Sequence, residues 1–285
     1  MKNLFRVSLL LFATSCTNFY FEKPMPQGGQ TLIESPSVLQ GVYEILTDDP
    51  QEGGPLDAWV KPCFYFEKLD DGQLLVSEEI RFHERDFGSI KTFLAQEKAA
   101  GRLISYSIGE RCILYTTASD SVAKQSNAYI PMVKSGAWYI LTRTQQPTKM
   151  FRFDSQNAVQ TDMRVQKGDD GLLPGTDTLS MERETLVARQ KDGAFFFNTR
   201  EKGKPGWSLI YCAPDASGDL LLKVSALGEM SDTLIENNRA HYEAITHFKK
   251  IEDGNYLLNP NDQALDALLA DQHLFGVMRL RKIKD

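Results

Sequence analysis

Four Asp-Gly steps, Asp71-Gly72, Asp170-Gly171, Asp192-Gly193 and Asp253-Gly254, stand between runs of aromatic, aliphatic and β-branched residues. Asp-Gly between such runs is the strongest short-range hairpin signal, because both central residues of a tight primed turn must accept positive φ. The runs are short and several alternate: "KPCFYFEKL", "GQLLVSEEIRFH", "GAWYILTR", "ETLVARQ", "GAFFFNTR", "WSLIYCA" and "GDLLLKVSAL". Bounded by Gly, Pro, Asp and Asn, they read as strands. The expected fold is therefore mainly β, with antiparallel sheets joined by hairpins. Acidic turns also bind calcium, but a calcium loop needs ligands at alternating positions and a later Glu. Asp70, Asp71, Asp169, Asp170, Glu252 and Asp253 lack that spacing, so they are turn residues.

Two short helices interrupt the strands. The first is expected from about Phe87 to Ala100, with Ile90, Phe93 and Leu94 on one face, Asp86 before it and Gly101 after it. The second begins near Asn259, with Pro260 in the first turn and Leu265, Leu268 and Leu269 repeating the i, i+3, i+4 spacing. A longer pattern encloses both. "FEKLDDGQLLV" at Phe66 to Val76 matches "FKKIEDGNYLL" at Phe248 to Leu258 position by position, and each copy is followed by one helix and then an apolar strand, "RLISYSIG" or "LFGVMRLRKI". "ARQKDGAFFF" is a third, partial echo without a helix. The pattern suggests an internal duplication giving two β-rich lobes with one helix each, at residues 41–150 and 151–285.

The N-terminal segment has its own logic. Lys2 and Arg6 precede an apolar run, Val7 to Ala13, and the small residues Ala13, Thr14 and Ser15 precede Cys16. This is the layout of a secretion signal over residues 1–15, too short to span a bilayer as a stable helix. With a thiol directly after the small residues, it resembles a bacterial lipobox. That resemblance implies acylation of Cys16, cleavage ahead of it, and attachment to a membrane through acyl chains, each buried methylene contributing about 0.8 kcal/mol. Residues 16–40, "CTNFYFEKPMPQGGQTLIESPSVLQ", are rich in Pro, Gly and Gln and read as an extended tether that lifts the body off the membrane. Phe19, Tyr20 and Phe21 stand out in it, either at the lipid interface or pinning the tether to the body, of which packing is the expectation.

"FEKPMP", "LIESPSVLQGVYEI" and the closing "NPNDQALDALLADQHLFGVMRLRKIKD" are similar to the two ends of an uncharacterised family of envelope lipoproteins from Bacteroidota-type bacteria. In that family a Pro-rich tether leads into a β-rich body with no assigned reaction. The resemblance implies an outer-membrane lipoprotein. Thr17 and Asn18 follow Cys16 with no acidic run, which by the sorting rules of these bacteria favours the periplasmic face over the cell surface.

Charge and motifs bear on the remaining function classes. The chain carries 32 Lys and Arg against 38 Asp and Glu. Removing residues 1–15, which hold Lys2 and Arg6 and no acidic residue, leaves 30 basic against 38 acidic residues, a net charge of −8. Such a body is ill suited to nucleic acid, and the anchor is expected to supply the membrane contact. Cys63, Cys112 and Cys212 lie in apolar runs without a CxxC spacing, so they read as buried thiols, with a disulfide between two of them as the alternative. No nucleophile elbow or phosphate-binding glycine loop occurs, and Gly88-Ser89 opens a helix. Were His241 to His247, "HYEAITH", a strand, His241, Glu243 and His247 would share a face, but solvated positions are the simpler reading. Glu78 and Glu79, being adjacent on a strand, face opposite ways.

The expected function is a non-enzymatic accessory or binding subunit of an outer-membrane protein complex, with no cofactor, metal or catalytic residue assigned. One alternative is a carbohydrate-binding lipoprotein, stacking sugars on Trp59, Trp138, Trp207, Tyr43, Tyr139 and Tyr211. The other is a hydrolase with an unrecognised site, for which His83, His241 and His247 are the residues to substitute.

Overall fold

The structure is a computed structural model, describing residues 19–46, 61–109, 112–117, 126–141, 147–153, 158–166, 176–225, 232–251, 255–271 and 274–283. The signal segment and Cys16 lie outside these residues, as do Trp59, Asp169, Asp170, Glu252, Asp253 and His273.

Ten strands form a closed antiparallel barrel. In chain order the first six are β3 (Gly41–Leu46), β4 (Lys61–Lys68), β5 (Leu74–His83), β10 (Pro147–Arg152), β11 (Ala158–Gln166) and β12 (Thr176–Lys191). Then come β13 (Ala194–Arg200), β14 (Ser208–Pro214), β15 (Leu220–Ser225) and β18 (Phe275–Lys282). Each pairs with the next, and β18 returns to β3, Lys282 opposite Tyr43. It is an up-and-down meander, which leaves no open edge in the ring. The boundary expected at residue 150 falls inside β10, and strands from both sides of it share this one ring.

Alternation decides what each face meets. Tyr43, Phe64, Phe66, Leu74, Val76, Phe151, Val159, Leu186, Phe195, Phe197, Cys212, Leu222 and Leu280 point inward and form one buried core. β13 is buried on both faces, with Phe195, Phe197 and Thr199 inward and Ala194, Phe196 and Asn198 outward. That is why "AFFFN" reads as a continuous rather than alternating apolar run. The β12–β13 turn has Asp192 at φ 50° and Gly193 at φ 80°, the primed turn expected from the sequence.

Two insertions hang on the meander. Between β5 and β10 come the helix α1 (Phe87–Ala99) and β6 (Leu103–Ile108), β7 (Cys112–Thr117), β8 (Ser126–Ser135) and β9 (Trp138–Leu141). β5 is long enough to pair with β10 through Leu74–Ser77 and with β9 through Ile80–His83, so the sheet forks there. α1 lays Phe87, Ile90 and Leu94 on Phe82, Tyr139 and Leu141.

Between β15 and β18 come α2 (Asp232–Asn237), α3 (Arg239–Ile245), β16 (His247–Lys250), β17 (Tyr256–Asn259) and α4 (Asp262–Ala270). β16 and β17 join the N-terminal strand β1 (Phe19–Phe21), which runs parallel to β17, in a three-stranded sheet. This layer packs on the outer wall of β13 and β14 through Phe19, Phe21, Tyr242, Phe248, Tyr256, Leu258, Leu265 and Leu268.

α4 starts later than expected, because Asn261 is its cap, its side chain accepting from the Ala264 amide at 2.8 Å, and Pro260 precedes it. α2 and α3 bring the described α-helices to four rather than two, and they correct the "HYEAITH" reading. His241 sits on a helix and His247 opens a strand, so the proposed shared strand face does not exist.

Candidate functional site

The segment expected to be a tether is part of the fold. Phe19, Tyr20, Phe21 and Met25 are buried, and Phe21 exchanges both backbone hydrogen bonds with Trp207, at 2.9 and 2.8 Å. Packing is therefore what the aromatic cluster does. Beyond it the chain runs round the barrel as a belt. Asn198, fully buried, accepts from the Met25 amide at 2.7 Å and donates to the Met25 carbonyl at 2.7 Å and to the Val187 carbonyl at 3.0 Å. An amide that serves donor and acceptor of one residue fixes that residue's backbone as a strand partner would.

Arg189 donates to the carbonyls of Pro24 and Pro26, and Asp262 accepts from the amides of Gln27 and Gly28 while pairing with Lys191 at 3.2 Å. Burial raises the Asp262 pKa, but Lys191 and the two amides outweigh it and hold the carboxyl below its usual range. The strand β2 (Gln30–Thr31) then pairs with β12, and Leu39 enters the barrel core with its carbonyl accepting from the Tyr43 hydroxyl at 3.0 Å.

Gly206 sits where the belt crosses the β13–β14 loop. A Cβ there would stand 2.6 Å from the Phe21 carbonyl and 2.8 Å from the Tyr20 Cβ, so only glycine lets the two backbones approach.

Polar groups are buried inside the barrel and also line a groove on its outer wall. Inside the barrel, Lys149 pairs with Glu184 at 3.5 Å, both almost wholly buried, and Glu78 is fully buried on the same inward face as Val76. Glu78 and Glu79 do face opposite ways. Buried charges of this kind persist because removing one partner strands the other.

On the outer wall, a groove of about 240 Å³ is lined by Lys191, Phe196, Tyr211, Lys223, Asp266 and Leu269. Lys223 donates to the Leu269 carbonyl at 2.6 Å, a cation at the C-terminal turn of α4. Burial lowers the Lys223 pKa, and burial first, then Cys212 and Asp266, raises that of Tyr211. With its ammonium on a helix carbonyl, Lys223 holds α4 to the wall.

The residues singled out from sequence are dispersed. His241 and His247 are exposed, His247 lying 3.4 Å from Glu22, and His83 accepts from the Arg85 amide at 3.1 Å. Trp138 lies under the Arg81 guanidinium at 4.2 Å, Trp207 is bound to β1, and Tyr43 is fully buried. Cys63 and Cys212 are buried and outside any disulfide, and burial pushes the Cys212 thiol far above its usual range. Cys112 lies on β7, its side chain outside the described residues.

Sequence reasoning missed Asn198, Arg189 and Asp262. Asn198 had a signal, a lone amide ending an apolar run on a strand buried on both sides. Comparison with known proteins finds no matching family model, no matching curated protein and no matching solved structure.

Proposed function

We propose that this chain is a bacterial envelope lipoprotein, held through acyl chains on Cys16 at the periplasmic face of the outer membrane, whose barrel body is a non-enzymatic accessory or binding subunit. The observation that carries the reading is where packing begins. Phe19 is already buried on β17, three residues after Cys16, so cleavage ahead of Cys16 leaves every described contact intact. Three extended residues span at most about 11 Å. The anchor therefore does not hold a distant body on a long tether; it holds the outer layer close to the lipid. The belt transmits that hold to the barrel through Asn198 and Arg189, and to the outer layer through Asp262.

Replacing Cys16→Ser tests the anchor. The variant is expected to leave the membrane fraction or to accumulate unprocessed, and a variant that stays membrane-bound and fully processed contradicts the reading. A gentle-detergent pull-down of the tagged full-length protein tests the subunit role, for which a stoichiometric outer-membrane partner is the expected outcome.

A further inference from the structure

The barrel closes its own edges, but the insertion after β5 ends in one. Its sheet runs β5, β9, β8, β7, β6, and among the described residues β7 is the only strand paired with β6 (Leu103–Ile108). An edge of this kind presents backbone donors and acceptors to any strand that fits, and charges on it discourage pairing. β16, which ends the three-stranded sheet, has exposed Lys249 and Lys250. β6, "LISYSI", has neither charge nor Pro, with Ser105 and Ser107 exposed and Ile104 42% exposed. The charged residue before it, Arg102, is held by both carboxylate oxygens of Glu97 at 2.6 Å, which neutralises it and fixes the entry from α1.

The strand itself specifies what fits this edge. About Tyr106 the sequence Ile104, Ser105, Tyr106, Ser107, Ile108 reads the same in both directions. Two copies laid antiparallel across a two-fold axis at Tyr106 set Tyr106 opposite its own copy, Ser105 opposite Ser107 and Ile104 opposite Ile108, so like side chains meet at each step. Moving the axis by half a residue sets Ile104 opposite Ser107 and Tyr106 opposite Ser105. The β6–β7 ladder carries an irregularity between Leu103 and Ser105, so its regular stretch is Ser105 to Ile108, and the axis falls inside it.

We propose that β6 is a self-association edge, on which a second copy of this chain adds its own β6 antiparallel about Tyr106. The pair uses both edges, so it closes as a dimer and does not extend into a fibre. The inference stands apart from acylation of Cys16, which it does not require.

Full-length protein in its own membranes, carrying one added cysteine, is oxidised mildly and run without reductant, with the unsubstituted chain as the blank for its own thiols. Directly opposed residues have Cα atoms about 4.5–5.5 Å apart, inside disulfide range, whereas position 105 stands roughly 8 Å from its own copy, outside it. Tyr106→Cys is therefore expected to give severalfold more covalent dimer than Ser105→Cys. Equal yields, or none above the blank, overturn the proposal. Light scattering of the detergent-solubilised full chain should show a mass of two chains, and Ser107→Lys, at an exposed position, should weaken that dimer about tenfold. A single-chain mass at every concentration, or an undiminished dimer in Ser107→Lys, also overturns it.

Discussion

The segments Phe66–Val76 and Phe248–Leu258 share a sequence pattern and a local structure, but not a place in the molecule. Each closes its turn with the equivalent hydrogen bond, Leu69 amide to Gln73 carbonyl and Ile251 amide to Asn255 carbonyl, both 2.8 Å. Each buries the equivalent face, Phe66, Leu74 and Val76 in one, Phe248, Tyr256 and Leu258 in the other. The first joins two staves of the barrel, eight and ten residues long; the second joins two strands of four residues laid on the barrel's outer wall. At about 3.3 Å per residue a four-residue strand covers only about 13 Å, too little for a tilted stave. Pattern sets the hairpin and its buried face, and length and flanking chain set what that face is buried against.

The largest effect expected from this contrast comes from its two equivalent phenylalanines. Phe66→Ala and Phe248→Ala should each cost about 3–5 kcal/mol in denaturant unfolding, as deletion of a buried ring does. Their hydrogen-exchange maps should differ. Phe66→Ala should deprotect the staves β3, β4 and β5, whereas Phe248→Ala should deprotect β1 and β17 while the staves keep their protection. Identical maps would break the distinction between wall and outer layer.

Next comes the clamp between those regions. Asn198→Ala strands the Met25 amide and carbonyl, and should cost about 2–3 kcal/mol and open the belt to limited proteolysis near Met25. Stability and belt resistance both unchanged would show the belt to be dispensable.

What the sequence disclosed follows from the range of the interactions. Strands, turns and α1 were legible because alternation, Asp-Gly steps and an Ile90–Leu94 stripe are local. α2 and α3 were not: α3 is seven residues long with Tyr242 alone buried, too short for a helical period to emerge against Ile245 and Thr246. The belt looked like a linker because Pro, Gly and Gln promise no structure, and what orders it comes from Asn198 and Asp262, more than 170 residues away. Ring closure through β18 and β3 was equally hidden, since alternation announces a strand without naming its partner. The expectation for Cys16 is of another kind, a string pattern that needs no fold, and it lies outside the described residues.

Smaller effects sharpen the same contrast. Gly72 has φ +80° with nothing nearer to an added Cβ than Glu34 at 3.9 Å, so Gly72→Ala should cost about 1–2 kcal/mol from backbone conformation alone, seen as a lower denaturant midpoint with an unchanged slope. Smallest is the pH response of Asp262. Its folded pKa is depressed, so its contribution is present above the unfolded value near 3.9 and is lost as pH falls from there through the folded value. Asp262→Asn should remove about 1 kcal/mol at neutral pH and flatten stability against pH below about 4. An unaltered pH profile would assign the acid response elsewhere.

The most direct test of the lipoprotein reading is the mass of the N-terminal peptide of the protein purified from its own membranes. The account predicts a peptide beginning at Cys16 and heavier than its sequence by acyl chains. A peptide beginning at any other residue, or an unmodified Cys16, would contradict it.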